Sequence, residues 1–308
     1  MIFPVADAHC DFLYNAVQTG YDLVRPKRDQ VIRLNDLQAG HVALQFFACW
    51  IDTTLRTPPL HQCIAMIDAY NRMLEQNAEL ISFTRDFSPN CGKIGTVLTV
   101  EGGEAMEGSL AVLRTLYRLG VRAMTLTWNE ANELSGAAMA RNNKGLTAVG
   151  REMIDEMTRL GIAIDVSHLS DKGIDDILAQ TSQPIFASHS NARSVYACPR
   201  ALQDTHIRAI AERGGVVGIN FYYQQLGPNS KANISDIVRH ICHVVQTGGI
   251  DCCAIGSDFD GMQQYPRDLR SSRDFPALMR ALALAGFSDD AIYKIAYLNL
   301  ANYIAQFV

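Results

Sequence analysis

Six residues carry side chains able to hold a metal ion or move a proton, and each closes an apolar run. They are His9 and Asp11 in "VADAHCDF", Glu101 after "IGTVLTV", His168 in "IDVSH", His189 in "IFASHS" and Asp258 in "IGSDFDG". Three imidazoles and three carboxylates buried around one opening would be costly unless something paired them, and divalent cations do so. Nitrogen and oxygen donors without thiolates suit zinc, and also manganese or iron. In an extended chain His9 and Asp11 share a face while Cys10 points away, which sets Cys10 aside as a ligand. Asp7 lies one step deeper on the same face, where a carboxylate would orient His9 from behind. Two divalent cations bring four positive charges, which Asp11, Glu101, Asp258 and one hydroxide would balance. That count favours two metals with Glu101 as the bridge. Each residue alone has an ordinary structural use: a helix cap for Glu101, turn chemistry for Asp258, a loop position for His189. Their joint placement at the same end of successive runs carries the metal reading.

The elements that must position them alternate along almost the whole chain. Strand-like runs are expected at 2–9, 42–51, 94–101, 121–128, 162–168, 184–189, 215–222 and 250–258. Several are continuously apolar, as in a parallel sheet covered on both faces. Helical spacing lies between them: Leu146, Val149, Met153, Met157 and Leu160, then Ile234, Ile237, Ile241 and Val244. Gly120, Gly161 and Gly249 mark helix-to-strand returns. Strands alternating with helices in this way predict a (β/α)8 barrel, read as one domain over 1–308 with a closing helix at the C-terminal end. A doubly wound open sheet is the competing architecture, but no G-x-G-x-x-G follows the first strand. The polar loop 129–145, "NEANELSGAAMARNNKG", is a candidate cover for the site. His240 and His243 are read as a solvated pair on a peripheral helix rather than as ligands.

Composition removes other classes. The chain has 308 residues, 48% hydrophobic and 19% charged, with a formal charge of −5, so no basic surface for nucleic acid is expected. Eight cysteines without a C-x-x-C spacing suggest reduced thiols. The first strand begins too early for a secretory leader, and "AIYKIAYLNLANYIAQFV" is broken by Lys294, Asn299, Asn302 and Gln306 at helical spacing. The expectation is a cytoplasmic protein with no membrane segment.

Taken together, "DAHCD", "VEGG", "TLTWN", "IDVSH", "SHSNARSV" and "IGSDFDG" resemble the membrane dipeptidase (renal dipeptidase, peptidase M19) family, in the same order from residue 5 to about 262. The likeness is to its soluble bacterial-type members. The resemblance implies a binuclear zinc hydrolase on a (β/α)8 barrel that cleaves dipeptides, often tolerating a D-residue at the C-terminal position. It implies that His9 and Asp11 bind one metal, His168 and His189 the other, and that Glu101 bridges both as a catalytic ligand. Asp258 resembles the acidic residue that handles the proton of the bridging water. Arg200, eleven residues after His189, matches the arginine that grips the substrate carboxylate. One position departs: Trp128 stands where relatives of the mammalian enzyme carry a substrate-contacting histidine. Tryptophan donates a hydrogen bond but accepts no proton. The resemblance also makes a homodimer plausible.

The expected activity is therefore hydrolysis of a small dipeptide, with Arg200, Asp258 and Trp128 touching it. Two alternatives stand beside it. One is a deaminase or lactonase of amidohydrolase type on the same barrel, although such enzymes usually open with H-x-H. The other is a catalytically idle metal-binding protein.

Overall fold

A computed structural model describes residues 2–228 and 232–308. Nine strands follow in chain order: β1 (Val5–Asp7), β2 (Val42–Trp50), β3 (Leu80–Ser82), β4 (Ile94–Glu101), β5 (Val121–Thr125), β6 (Ala163–Asp165), β7 (Ile185–Phe186), β8 (Val217–Ile219) and β9 (Cys253–Ile255). Every pairing is parallel, in the order β7-β6-β5-β4-β2-β1-β9-β8. A parallel bridge from Ala187 to Val217 joins the two ends and closes the ring. β3 lies off this path, beside β4, and the apolar pattern did not announce it. The result is the expected (β/α)8 barrel.

Apart from β4, which fills its run to Glu101, the strands are shorter than the apolar runs that contain them. β6 stops at Asp165 and β9 at Ile255, short of His168 and Asp258. Both of those residues adopt left-handed backbone, at φ 65° and 62°, which a strand cannot accommodate. There the ladder ends before His168 and Asp258, which stand on irregular chain above the barrel, whereas Glu101 still lies within β4.

Helices on the outside follow the predicted spacing. The segment Ala148–Leu160 buries Met153, Ile154 and Met157; Thr147 caps its start by accepting from the Gly150 N–H at 3.0 Å. Gly161 ends it at φ 71°, where a side chain would be strained. Val149, placed on the buried stripe by spacing alone, sits on the rim at 36% exposure. Inside the barrel, Ala6, Ala8, Ala123, Ala163 and Ala254 leave room for Phe46 and Phe186. The C-terminal segment fills the remainder, with Tyr303 against Phe186 at 4.9 Å between ring centroids. No helix among the described residues is long and apolar enough to cross a membrane. All eight cysteines are free thiols, and Cys10 points away from the mouth, bonding to the Phe46 carbonyl.

Candidate metal centre and substrate cavity

His9 and Asp11 stand on the chain just beyond β1, which a parallel bridge between Cys10 and Phe259 holds there, Asp11 N–H donating to the Phe259 carbonyl at 2.9 Å. Their side chains share a face, with His9 Nε2 3.6 Å from Asp11 Oδ2. Asp11 also occupies the cap position of helix Phe12–Thr19 but makes no side-chain cap bond, so its carboxylate is turned to the cavity. Glu101 is the last residue of β4. Its Oε2 lies 3.5 Å from His9 Nε2, while its Oε1 lies 3.0 Å from His168 Nε2 and 3.4 Å from His189 Nε2. Asp258 completes the His9 side, with Oδ1 4.0 Å from His9 Nε2. The sequence-predicted residues are thus brought together in two groups, and one carboxylate reaches both.

The atoms facing inward fit a cation. Among the described residues His9 Nε2, Asp11 Oδ1 and Glu101 Oε1 are buried without a hydrogen-bond partner, a costly condition for a fold to maintain unaided. His168 Nε2 and His189 Nε2 approach to 2.9 Å. Their outer nitrogens are held by acceptors: His168 Nδ1 meets Asn129 Oδ1 at 3.1 Å, and His189 Nδ1 meets Ser188 Oγ at 2.7 Å. Ser188 Oγ in turn donates to Asp165 at 2.5 Å. This places the N–H on the outer side of each ring and aims two lone pairs at one another, an arrangement a cation resolves. A Cβ at Gly261 would fall on the Asp11 and Asp258 carboxylates, so only glycine lets that loop pass.

Electrostatics separate the carboxylates. Burial pushes the Glu101 carboxyl up, but the His9 and His168 imidazoles outweigh it and hold it well below the usual carboxylate range. Burial pushes Asp258 up to about 7; His9 opposes this, and the neighbouring Asp11 and Glu101 add to it. Asn220 Nδ2 donates to Asp258 Oδ2 at 3.1 Å. A carboxyl near neutrality at the edge of such a site can both take and give a proton.

Above these residues opens a cavity of about 600 Å³, lined by Trp50, Trp128, Arg200, Tyr222 and Met139 among others. Arg200 is buried, donating to the His189 carbonyl at 3.2 Å while its Nε has no partner among the described residues. Asn129 and Met139, both from the loop 129–145, border the same cavity. Ala138 N–H donates to the His168 carbonyl at 2.7 Å and so ties that loop to the site.

Two expectations need correction. Asp7 does not orient the His9 ring; it accepts from Ser257 Oγ at 2.5 Å, from Ser257 N–H at 2.8 Å and from the His9 backbone N–H, fixing main chain instead. His240 is not solvated. It is fully buried, accepting at Nδ1 from Ala192 N–H and donating from Nε2 to the Leu226 carbonyl, both at 3.2 Å. Its partner His243 instead bonds Asp204 at 2.8 Å. Sequence reading missed Asn129, Ser188, Asp165 and Asn220. Only Ser188, adjacent to His189, carried a local signal.

Comparison with known proteins places the chain in a family. The family model described as membrane dipeptidase (peptidase family M19) matches residues 2–306. Two uncharacterised dipeptidases of Schizosaccharomyces pombe are 32% and 34% identical, over 97% and 79% of this chain and 79% and 64% of their own lengths. Dipeptidase 3 of Mus musculus is 30% identical over 99% of this chain. The chain spans 64% of the length of that mouse protein and of one of the yeast relatives. Among solved structures, a metallopeptidase described as dipeptidase AC of family M19 superposes with a TM-score of 0.92 at 25% identity, covering 100% of this chain and 99% of its own. A Rhodobacter sphaeroides metallopeptidase bound to a phosphinate mimic of L-Ala-D-Ala has the same fold, with a TM-score of 0.91 at 24% identity and all of both chains covered. With the family model matched from end to end over two facing sets of ligand-type side chains, the chain belongs to the membrane dipeptidase family, peptidase family M19.

Proposed function

We propose that this protein is a metallo-dipeptidase that hydrolyses the peptide bond of dipeptides, including those with a D-residue at the C-terminal position. The observation that carries this reading is Glu101, whose two oxygens face different imidazole sets: Oε2 toward His9, Oε1 toward His168 and His189. His9 and Asp11 would hold one divalent cation, His168 and His189 a second, and Glu101 would touch both; zinc suits these donors first. Such cations, when bound, polarise a carbonyl and bring the pKa of water down to about 7.

The chain's own residues supply the rest. Arg200, buried with its Nε unpartnered, holds the terminal carboxylate of the substrate. A carboxylate fixed there places only the adjoining peptide bond over Glu101, which restricts the enzyme to dipeptides. Asp258 accepts the proton of the attacking water and delivers it to the leaving amine. Asn220 steadies Asp258 in that position. We infer also that the protein works in the cytoplasm, where its eight free thiols stay reduced.

Metal analysis together with a panel of L,L- and L,D-dipeptides, tripeptides, lactones and deaminase substrates tests the reading. Two equivalents of divalent metal and turnover confined to dipeptides are expected. Turnover of lactones or amines in their place would overturn it.

A further inference from the structure

The cavity has two unlike sides. In the ring of eight strands β2 stands opposite β7, and Trp50 at the end of β2 lines the same cavity as Arg200 on the segment after β7. Trp50 belongs to a continuous aromatic wall. Its ring lies 4.6 Å from Tyr14 and 5.0 Å from Trp128, both edge to face, and Trp128 continues to His168 at 6.2 Å. Two polar atoms of this wall are withdrawn from the cavity. The Tyr14 hydroxyl donates to Asp52 at 2.8 Å, and the Trp50 indole nitrogen is buried. Met139, 52% exposed on the loop 129–145, borders the same cavity.

Resting on the dipeptidase reading, we propose that Trp50 and Trp128 form the seat for the side chain of the substrate's N-terminal residue. They select dipeptides that begin with a large apolar or aromatic residue. A dipeptide with its carboxylate at Arg200 and its scissile bond over Glu101 directs its first residue across the barrel, toward this wall. Burying a leucine- or phenylalanine-sized side chain against ring carbon favours it over glycine by roughly ten- to a hundredfold. Trp128 contributes surface here and no proton acceptor.

The chain contains only two tryptophans, so indole emission reports on this wall alone. Phosphinate dipeptide analogues with a benzyl, aminobutyl or hydrogen substituent at the first residue are titrated into metal-loaded protein while emission is followed. Hydrolysis of Phe-Ala, Lys-Ala and Gly-Ala is measured in parallel. The benzyl analogue should bind on the order of tenfold or more tighter than the hydrogen analogue and shift the emission. W50A and W128A should each bring that ratio toward one, whereas W128F, which retains an aromatic ring, should keep most of it. Equal affinities for the benzyl and hydrogen analogues, tightest binding of the aminobutyl analogue, or a ratio unchanged in both alanine variants would overturn the proposal. Cleavage of all three dipeptides at like rates keeps the dipeptidase reading and rejects the wall. Benzyl-selective binding without any cleavage keeps the wall and rejects the dipeptidase reading.

Discussion

Glu101 is buried and Asp258 half-buried, both within 4.0 Å of His9, yet their surroundings drive them apart. Imidazoles outweigh burial at Glu101, whereas burial raises Asp258 to about 7. The first is suited to hold cations, the second to move protons. Asp258→Asn should therefore cut turnover by about a hundredfold or more while metal content, read by atomic emission, stays near that of the parent. Loss of metal in that variant would make Asp258 chiefly a ligand. Arg200→Ala should raise KM for substrates ending in a free carboxylate and leave C-terminal amides little affected; equal effects on both would reject the clamp. Asn129 acts one layer out, through its bond to His168 Nδ1. Asn129→Leu removes that acceptor and should weaken metal affinity by roughly ten- to a hundredfold in a chelator competition.

Among the elements, the segments beyond the strands decide the site, and His240 shows how they are held. From the helix Ile234–Gly248 it bonds Ala192, three residues after His189, and Leu226, on the segment after β8. Burial lowers its pKa to about 4, with the Leu226 bond opposing. The unfolded chain, with histidine near 6.5, then binds more protons than the folded one between pH 4 and 6.5. Stability from this group is complete above pH 6.5 and falls as pH drops toward 4, by about 3 kcal/mol in all. His240→Asn should flatten that part of the profile in denaturant titrations, and an unchanged slope would count against it. The spacing of Ile237, Ile241 and Val244 made this helix legible, because periodicity is local. That His240 faces inward was not legible, because its partners lie 48 and 14 residues away.

At the scale of the whole molecule, one mouth of the barrel is closed by the C-terminal segment and the other carries the cluster of imidazoles and carboxylates. Tyr303, buried against Phe186 and bonded to the Pro184 carbonyl at 3.2 Å, is central to that closure. Tyr303→Ala should cost about 3 kcal/mol or more of unfolding free energy, since the barrel interior cannot collapse around the loss. If the inward-facing side chains of His9, Asp11 and Glu101 hold cations as proposed, stability should also depend on metal. Chelation is expected to lower Tm, and the difference should disappear in His9→Ala/His168→Ala protein. A Tm indifferent to chelator would show that the ligand set is satisfied without cations.

What the chain order alone determined was the alternation of strands and helices and the kinds of donor at the strand ends. Apolar runs, helical spacing and residue type are properties of neighbouring positions, and they sufficed for the barrel and for singling out His9, Asp11, Glu101, His168, His189 and Asp258, which the fold gathers at one place. Folding decided the rest. Which oxygen of Glu101 faces which imidazole, which ring nitrogen carries the proton and where Asp7 spends its hydrogen bonds all depend on residues brought from distant segments. So does the meeting of Tyr14, Trp50 and Trp128 in one wall. Contacts across a closed ring follow from the order of strands around it, and no local pattern encodes them.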